Sequence, residues 1–218
     1  GCVKGEYQPE ERSTSCLDCL PGRYQKQEEQ SDCINCEVGR YSGDPGKDNC
    51  TGCVKGEYQP EERSTSCLKC LSGRYQTEAE QSDCIDCEVG RYSKTPGKDE
   101  DCTICIKGRH QANTGSTACL DCIPGTYQTE QKQLKCLPCG VGRASPDQAR
   151  RTTCDACKTG QYQQEEGTTD CLNCIPGTYQ SEEQQSDCIK CKKNSYTNNT
   201  KQAACKPCAT GKYTEGPG

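Results

Sequence analysis

Residues 16–25 read CLDCLPGRYQ. Cys16 and Cys19 form a C-x-x-C pair, Gly22 follows three residues later and Tyr24 two beyond that. A C-x-x-C pair is half of a zinc site, a redox couple, or the meeting point of two disulfides. The surrounding chain narrows the choice, because the stretch is one instance of a pattern that runs from end to end.

Counting each unit from the second Cys of a pair, units start at Cys2, Cys19, Cys36, Cys53, Cys70, Cys87, Cys105, Cys122, Cys139, Cys157, Cys174, Cys191 and Cys208. Each reads C-x-x-G-x-Y, then a polar stretch, then Cys, and the spacing is 17 residues, or 18 at two places. A fixed short period of this kind defines a repeat architecture. Gly fills its slot twelve times, with Asn194 the one substitute. Gly and Asn best tolerate φ > 0, so the slot predicts a left-handed turn residue. All eleven Tyr share the next slot, where His110 and Ala144 are the exceptions. A ring there is expected to cover a disulfide and fill the little apolar volume of the unit. The polar remainder, such as QKQEEQSD at 25–32, reads as an exposed hairpin tip. No helical period is sustained, so short two-stranded ribbons and turns are expected.

The composition suits such units. The chain has 218 residues, 25 of them Cys, with no Phe, Trp or Met and only 20 Leu, Ile and Val. That apolar supply alone is typical of disorder, whereas the Cys content is typical of a disulfide scaffold. The expectation is small disulfide-rich repeats, mostly β-hairpin and turn, in an elongated solenoid-like rod without a large core. The net charge of −5 is mild and the signs are interspersed, which excludes a basic stripe for nucleic acid. No apolar run is long enough to insert in a membrane. The chain opens at Gly1-Cys2 and stops at Gly218 in mid-pattern, as expected of a stretch of something longer.

A second period lies over the first. Residues 2–16 and 53–67 are identical, and the larger repeat is three units. This divides the chain into 2–52, 53–104, 105–156 and 157–207, with 208–218 starting a further repeat. Within each triplet two units carry large apolar residues beside the Cys pair: Leu17, Leu20 and Ile34; Leu68, Leu71 and Ile85; Leu120, Ile123 and Leu137; Leu172, Ile175 and Ile189. After the second Cys, the units at Cys36, Cys87, Cys139 and Cys191 have Glu37, Glu88, Gly140 and Lys192 instead. Duplication of a three-unit segment explains this register. So does an assembly whose geometry repeats every three units, with the apolar positions as contacts to other fibre subunits or to further copies of the chain.

Zinc sites pair two C-x-x-C motifs and then stop, whereas here the motifs continue at constant spacing beside a single His. A redox C-x-x-C needs a helix start in a βαβ context, which is absent from the pattern. Disulfides remain, either across each unit or interlocked between units. A bond across each unit would close a loop of roughly 15 residues and contribute about 3 kcal/mol by restricting the unfolded chain. It would also leave Cys208 with a partner outside the chain.

The C-x-x-C-x-x-G-x-Y units resemble the ephrin-receptor-like cysteine-rich repeat. They are also similar to the single-disulfide module that opens the cysteine-rich domains of tumour necrosis factor receptors. The resemblance implies one disulfide around each G-x-Y segment: Cys2 with Cys16, Cys19 with Cys33, Cys36 with Cys50, Cys53 with Cys67, Cys70 with Cys84 and Cys87 with Cys102. In the second half it implies Cys105 with Cys119, Cys122 with Cys136, Cys139 with Cys154, Cys157 with Cys171, Cys174 with Cys188 and Cys191 with Cys205. The chain lacks the receptors' second, doubly cross-linked module and repeats more regularly than they do. Long arrays of this kind look like extracellular surface or matrix proteins.

Catalytic chemistry has little support in the residues. His110, the sole His, occupies a ring slot, and the cysteines are committed to disulfides. Pairs such as Glu28-Glu29 and Glu182-Glu183 lie in tips without calcium-loop spacing. No catalytic residue, metal or cofactor is expected. Sequons at Asn49 and Asn198 and hydroxyls such as Ser13, Thr14 and Ser15 are candidate glycosylation sites. The expected role is a non-enzymatic extracellular structural protein, part of a fibre, surface filament or cell coat. The alternative is the stalk or ligand-binding ectodomain of a receptor. A protein ligand would then grip the atypical units with His110, Ala144, Arg150 and Arg151.

Overall fold

A computed structural model describes residues 1–10 and 14–214. Among them it contains 24 strands of two residues each, paired as twelve antiparallel hairpins, and no helix. There is one hairpin per repeat. In the repeat that starts at Cys19, the strand Arg23–Tyr24 pairs with Ile34–Asn35 in the register Arg23 to Asn35 and Tyr24 to Ile34.

Local chemistry sets both ends of the hairpin. Leu20 to Arg23 form a four-residue turn closed by a hydrogen bond from Arg23 N to Leu20 O at 3.0 Å. Pro21 and Gly22 hold its centre, and Gly22 has φ +83°, the combination a type II turn requires. Asn194, alone in taking this place without being Gly, has φ +65°, which Asn tolerates by bonding locally. The return strand lies between two cysteines, which limits it to two residues. Disulfides close every complete loop from its first to its last Cys, as in Cys19–Cys33 and Cys122–Cys136. Their Cα separations lie between 5.5 and 5.8 Å, an unstrained span for a disulfide.

The core is therefore sulfur. Nearly all buried apolar residues are cysteines, and Ala144 is the exception. Buried with them is the residue after the ring slot in eleven of the twelve complete repeats: Gln25, Gln59, Gln76, Gln111, Gln128, Gln163 and Gln180, with Ser42, Ser93, Ser145 or Thr197 in the third unit of each triplet; Gln8 is half-buried. This departs from the expectation that 25–32 is an exposed tip, since Gln25 is only 3% exposed. Its side chain is an internal brace. Gln25 Nε2 donates to Asp32 O at 2.6 Å, and Gln25 Oε1 accepts from Gln27 N at 3.1 Å. The same two bonds recur at Gln59, Gln76, Gln128, Gln163 and Gln180. One amide thus satisfies two backbone groups that the tight tip cannot pair with each other.

The chain divides into two compact units, Gly1–Ile104 with Asn113–Ala118, and Cys105–Ala112 with Cys119–Gly218. Successive hairpins stack in the same way within each. In the first unit, Gly22 N donates to Ser42 O at 2.7 Å, Gln25 N to Lys47 O at 3.1 Å, and Gly46 N reaches back to Cys19 O at 2.9 Å. In the second, Gly125 N donates to Ser145 O at 2.8 Å, Gln128 N to Arg150 O at 3.0 Å, and Ala149 N to Cys122 O at 2.8 Å. Three backbone bonds thus join each such pair of neighbours, each contributing about 0.5–1.5 kcal/mol net. Contact also extends beyond the neighbour. A Cβ on Gly22 would overlap the carbonyl of Arg63, two repeats on, and one on Gly125 would overlap that of Gly167. The glycine slot is held by two demands, the turn and this close approach, of which the sequence pattern suggested only the first.

Candidate functional site

The two-residue strands sort side chains onto two faces, because directly opposed residues in an antiparallel pair point the same way. One face is ionic. Arg23 Nε donates to Asn35 Oδ1 at 3.1 Å and Arg23 Nη2 to Cys33 O at 2.6 Å. Arg74 Nε lies 2.8 Å from Asp86, and Arg109 Nε lies 2.6 Å from Asp121. Asp32 and Asp83 sit at the edge of this face. Each carboxylate accepts the N–H of the following Cys, at 2.7 Å from Cys33 and 2.8 Å from Cys84. That bond first, and the neighbouring Arg second, hold both carboxyls below the ordinary Asp range.

The other face is apolar. Tyr7 pairs with Leu17, Tyr24 with Ile34, Tyr58 with Leu68, Tyr75 with Ile85, Tyr127 with Leu137, Tyr162 with Leu172 and Tyr179 with Ile189. His110 takes the ring's part opposite Leu120. In the third unit of each triplet the partner is Thr51, Thr103, Asp155 or Lys206. The second apolar position, at Leu20, Leu71, Ile123 and Ile175, opens the turn before each Gly. Ile175 lines one hollow with Tyr162, Thr178, Asp187, Cys188 and Lys190, which sets this residue beside the ring of the hairpin before it. In a third unit the corresponding hollow joins Tyr24 to Glu37, Arg40 and Cys50.

All twelve residues Leu17, Leu20, Ile34, Leu68, Leu71, Ile85, Leu120, Ile123, Leu137, Leu172, Ile175 and Ile189 are exposed, at 40–67%. Val3, Val38, Val54, Ile106, Leu134 and Val141 are exposed as well. Val54 and Ile106 occupy the slot after the second Cys and follow from the pattern. Val38 and Val141 lie one residue later, so the third units at Cys36 and Cys139 are less polar than the pattern implies. Leu134 stands in a tip without periodic signal.

The rings also differ from expectation in what they cover. Tyr24 lines a hollow with Cys50, Tyr162 with Cys188, and His110 Nδ1 lies 3.3 Å from Cys136 Sγ. Each of these three rings sits against the disulfide of the next repeat and so joins one repeat to another.

Among the described residues two clusters have metal-ligand spacing, His110 with Cys122 and Cys136, and Cys2 with Glu6 and Cys16. In both, the sulfurs are joined in a disulfide, which leaves one ionisable ligand apiece. Cys208 is a free, half-buried thiol. Asn198 is exposed. Asn49 is exposed too, but its Oδ1 accepts from Cys50 N at 3.0 Å, the cap that Asp supplies in other repeats. Ser13 lies outside the described residues.

Hairpins of this build define the chain as a tandem-repeat, disulfide-cored protein. The family model described as tyrosine-protein kinase ephrin type A/B receptor-like matches residues 39–82, 110–151 and 177–218, more than half of the sequence. The chain belongs to that family. A search of curated proteins found no match. Family and disulfides together make this a cysteine-rich repeat region located outside the cell or at its surface. No helix among the described residues is long and apolar enough to cross a membrane.

Proposed function

We propose that the chain is a non-enzymatic structural segment whose apolar face packs against further copies of the same chain in an extracellular fibre or surface coat. The observation that carries this is the exposure of all twelve periodic Leu and Ile side chains while the interior is filled by disulfides. An ordinary soluble repeat would place such residues inward, since each buried Leu or Ile contributes about 1.5–3 kcal/mol. Recurring apolar residues left in solvent mark an interaction surface. The occupant follows from the period. Within each compact unit the apolar positions recur at the 17-residue spacing, and a partner with the same spacing matches them; a second copy has it. The ionic face, with its Arg–Asp rungs, remains hydrated in such a contact.

A receptor reading has one observation in its favour, the family itself, whose description names receptors. On that reading the atypical repeats with His110, Ala144, Arg150 and Arg151 hold a protein ligand. Sedimentation velocity over a range of concentrations separates the two. Self-association that Leu17→Asp, Ile34→Asp, Leu68→Asp and Ile85→Asp together abolish supports the fibre segment. A chain that stays monomeric at high concentration, with these variants unchanged, contradicts it.

A further inference from the structure

The disulfide Cys122–Cys136 differs from its eleven counterparts in two independent respects. A ring nitrogen faces it, His110 Nδ1 at 3.3 Å from Cys136 Sγ, in a slot where the other repeats have Tyr or, once, Ala. The ligand atoms of His110, Cys122 and Cys136 all lie within 4.8 Å of one another. The residue before its second Cys is Lys135, where the other repeats have Asp, Asn, Ser, Thr or Ala. Access is unequal at the two sulfurs, since Cys122 is fully buried and Cys136 half-exposed.

We propose that Cys122–Cys136 is a site of thiol–disulfide exchange, where an external thiol forms a mixed disulfide with Cys136, aided by His110 and Lys135. An incoming thiolate attacks the accessible Cys136 Sγ. The bond to Cys122 breaks and its electron pair leaves on Cys122 Sγ, which lies within 4.8 Å of the His110 ring; a ring N–H donates to the thiolate, and the proton it finally takes up comes from solvent. A second external thiolate then attacks the external sulfur of the mixed disulfide and releases Cys136 as a thiolate. The net change is two external thiols oxidised to their disulfide and Cys122 and Cys136 reduced to thiols. A cation next to a sulfur lowers the cost of a thiolate there, and a better leaving thiolate speeds exchange. Lys135 adds positive charge along the approach of an anionic nucleophile.

On the hairpin of His110, Arg109 and Asp121 pair with each other on the neighbouring rung, and Leu120 lies opposite the ring. By repeat position, Ile175, Thr178, Asp187 and Lys190, which line a hollow with Tyr162, correspond to Ile123, Thr126, Lys135 and Pro138 on the hairpin after His110. A carboxylate beside one disulfide is thus a cation beside the other.

The matched control lies in the same molecule. Cys174–Cys188 has the same buried first sulfur and half-buried second one, faced by Tyr162 and preceded by Asp187. Brief reduction of the intact chain with 2-mercaptoethanol, acid quenching and peptide mass mapping gives the two opening rates, and their ratio cancels the thiolate concentration. The expected ratio is about tenfold in favour of Cys122–Cys136. His110→Tyr, which restores the usual residue and so retains the fold, lowers the ratio. His110→Tyr with Lys135→Asp brings the ratio to about one. A ratio near one in the unaltered chain, or a ratio that His110→Tyr leaves unchanged, overturns the proposal.

Discussion

The glutamine after each ring shows how a polar residue becomes structural in this chain. A hairpin tip of eight or so residues cannot pair all its backbone groups, and burial beside a disulfide denies them water. Gln25 meets two of them with one side chain. Its replacement by Ala would leave Asp32 O and Gln27 N without their partner, at a cost of about 1–3 kcal/mol. The expected outcome for Gln25→Ala is faster amide exchange across 26–33 with the Cys19–Cys33 bond intact; unchanged exchange would remove the brace from the account. Composition hid this role, because Gln reads as solvent-facing in a polar stretch. The position held the signal, since Gln follows the ring in eight of twelve complete repeats and a hydroxyl residue follows in the rest. Asp32 and Asp83 carry a second residue-scale prediction. Their carboxyls titrate lower in the folded chain because they accept the Cys N–H and then an Arg N–H. The contribution is therefore full above the unfolded Asp value of about 3.9 and is lost as pH falls through the lower folded value. In an NMR titration the Cys33 and Cys84 amides should shift with midpoints below about 3.9. Midpoints at or above that value would contradict the bond.

The hairpin is the element, and it is incomplete alone. Two-residue strands cannot persist in water without tertiary support. The disulfide restricts the loop, and the three backbone bonds to the next hairpin complete it. Gly39 illustrates the coupling. It has φ +78°, and a Cβ there would overlap the carbonyl of Glu80, two repeats on. Gly39→Ala is expected to loosen the hairpin from Cys70 to Cys84 as well as its own, by more than about 1 kcal/mol. Hydrogen exchange mapped along the chain checks this, and loosening confined to residues 36–50 would show that the contact is not structural. Repeat length, the left-handed Gly and the hairpins were legible from C-x-x-G-x-Y. The contact two repeats away was not, because it joins a glycine to backbone at a tip of varying sequence: Arg63, Glu80, Gly97 or Gln184. The ring's placement against the next disulfide was hidden for a similar reason, since local spacing gives a side chain's slot but not the neighbour it meets.

On the scale of the whole molecule, each hairpin has an apolar and an ionic side from one alternation along its strands, and the two meet between hairpins, where Tyr24 shares a hollow with Arg40 and Tyr162 with Lys190. The row of Leu and Ile was visible in the sequence as residues flanking the Cys pairs. Its exposure could not be derived there, because a disulfide core leaves the inward places to sulfur and glutamine, and only the folded hairpin shows Leu17 48% and Ile175 64% exposed. Salt on the ionic face should matter little to stability, as exposed pairs such as Arg23 with Asp32 contribute little to it. Raising salt should therefore leave the apolar contact between copies intact or strengthen it, which light scattering can follow. Hydroxyl-radical footprinting across a concentration series tests the central claim most directly. Leu17, Leu20, Ile34, Leu68, Leu71, Ile85, Leu120, Ile123, Leu137, Leu172, Ile175 and Ile189 should lose reactivity together as the copies associate, while Arg23, Arg74 and Arg109 on the ionic face keep theirs. If the twelve stay reactive at concentrations where the mass has risen, or if the mass never rises, the apolar face is not where this chain meets its copies.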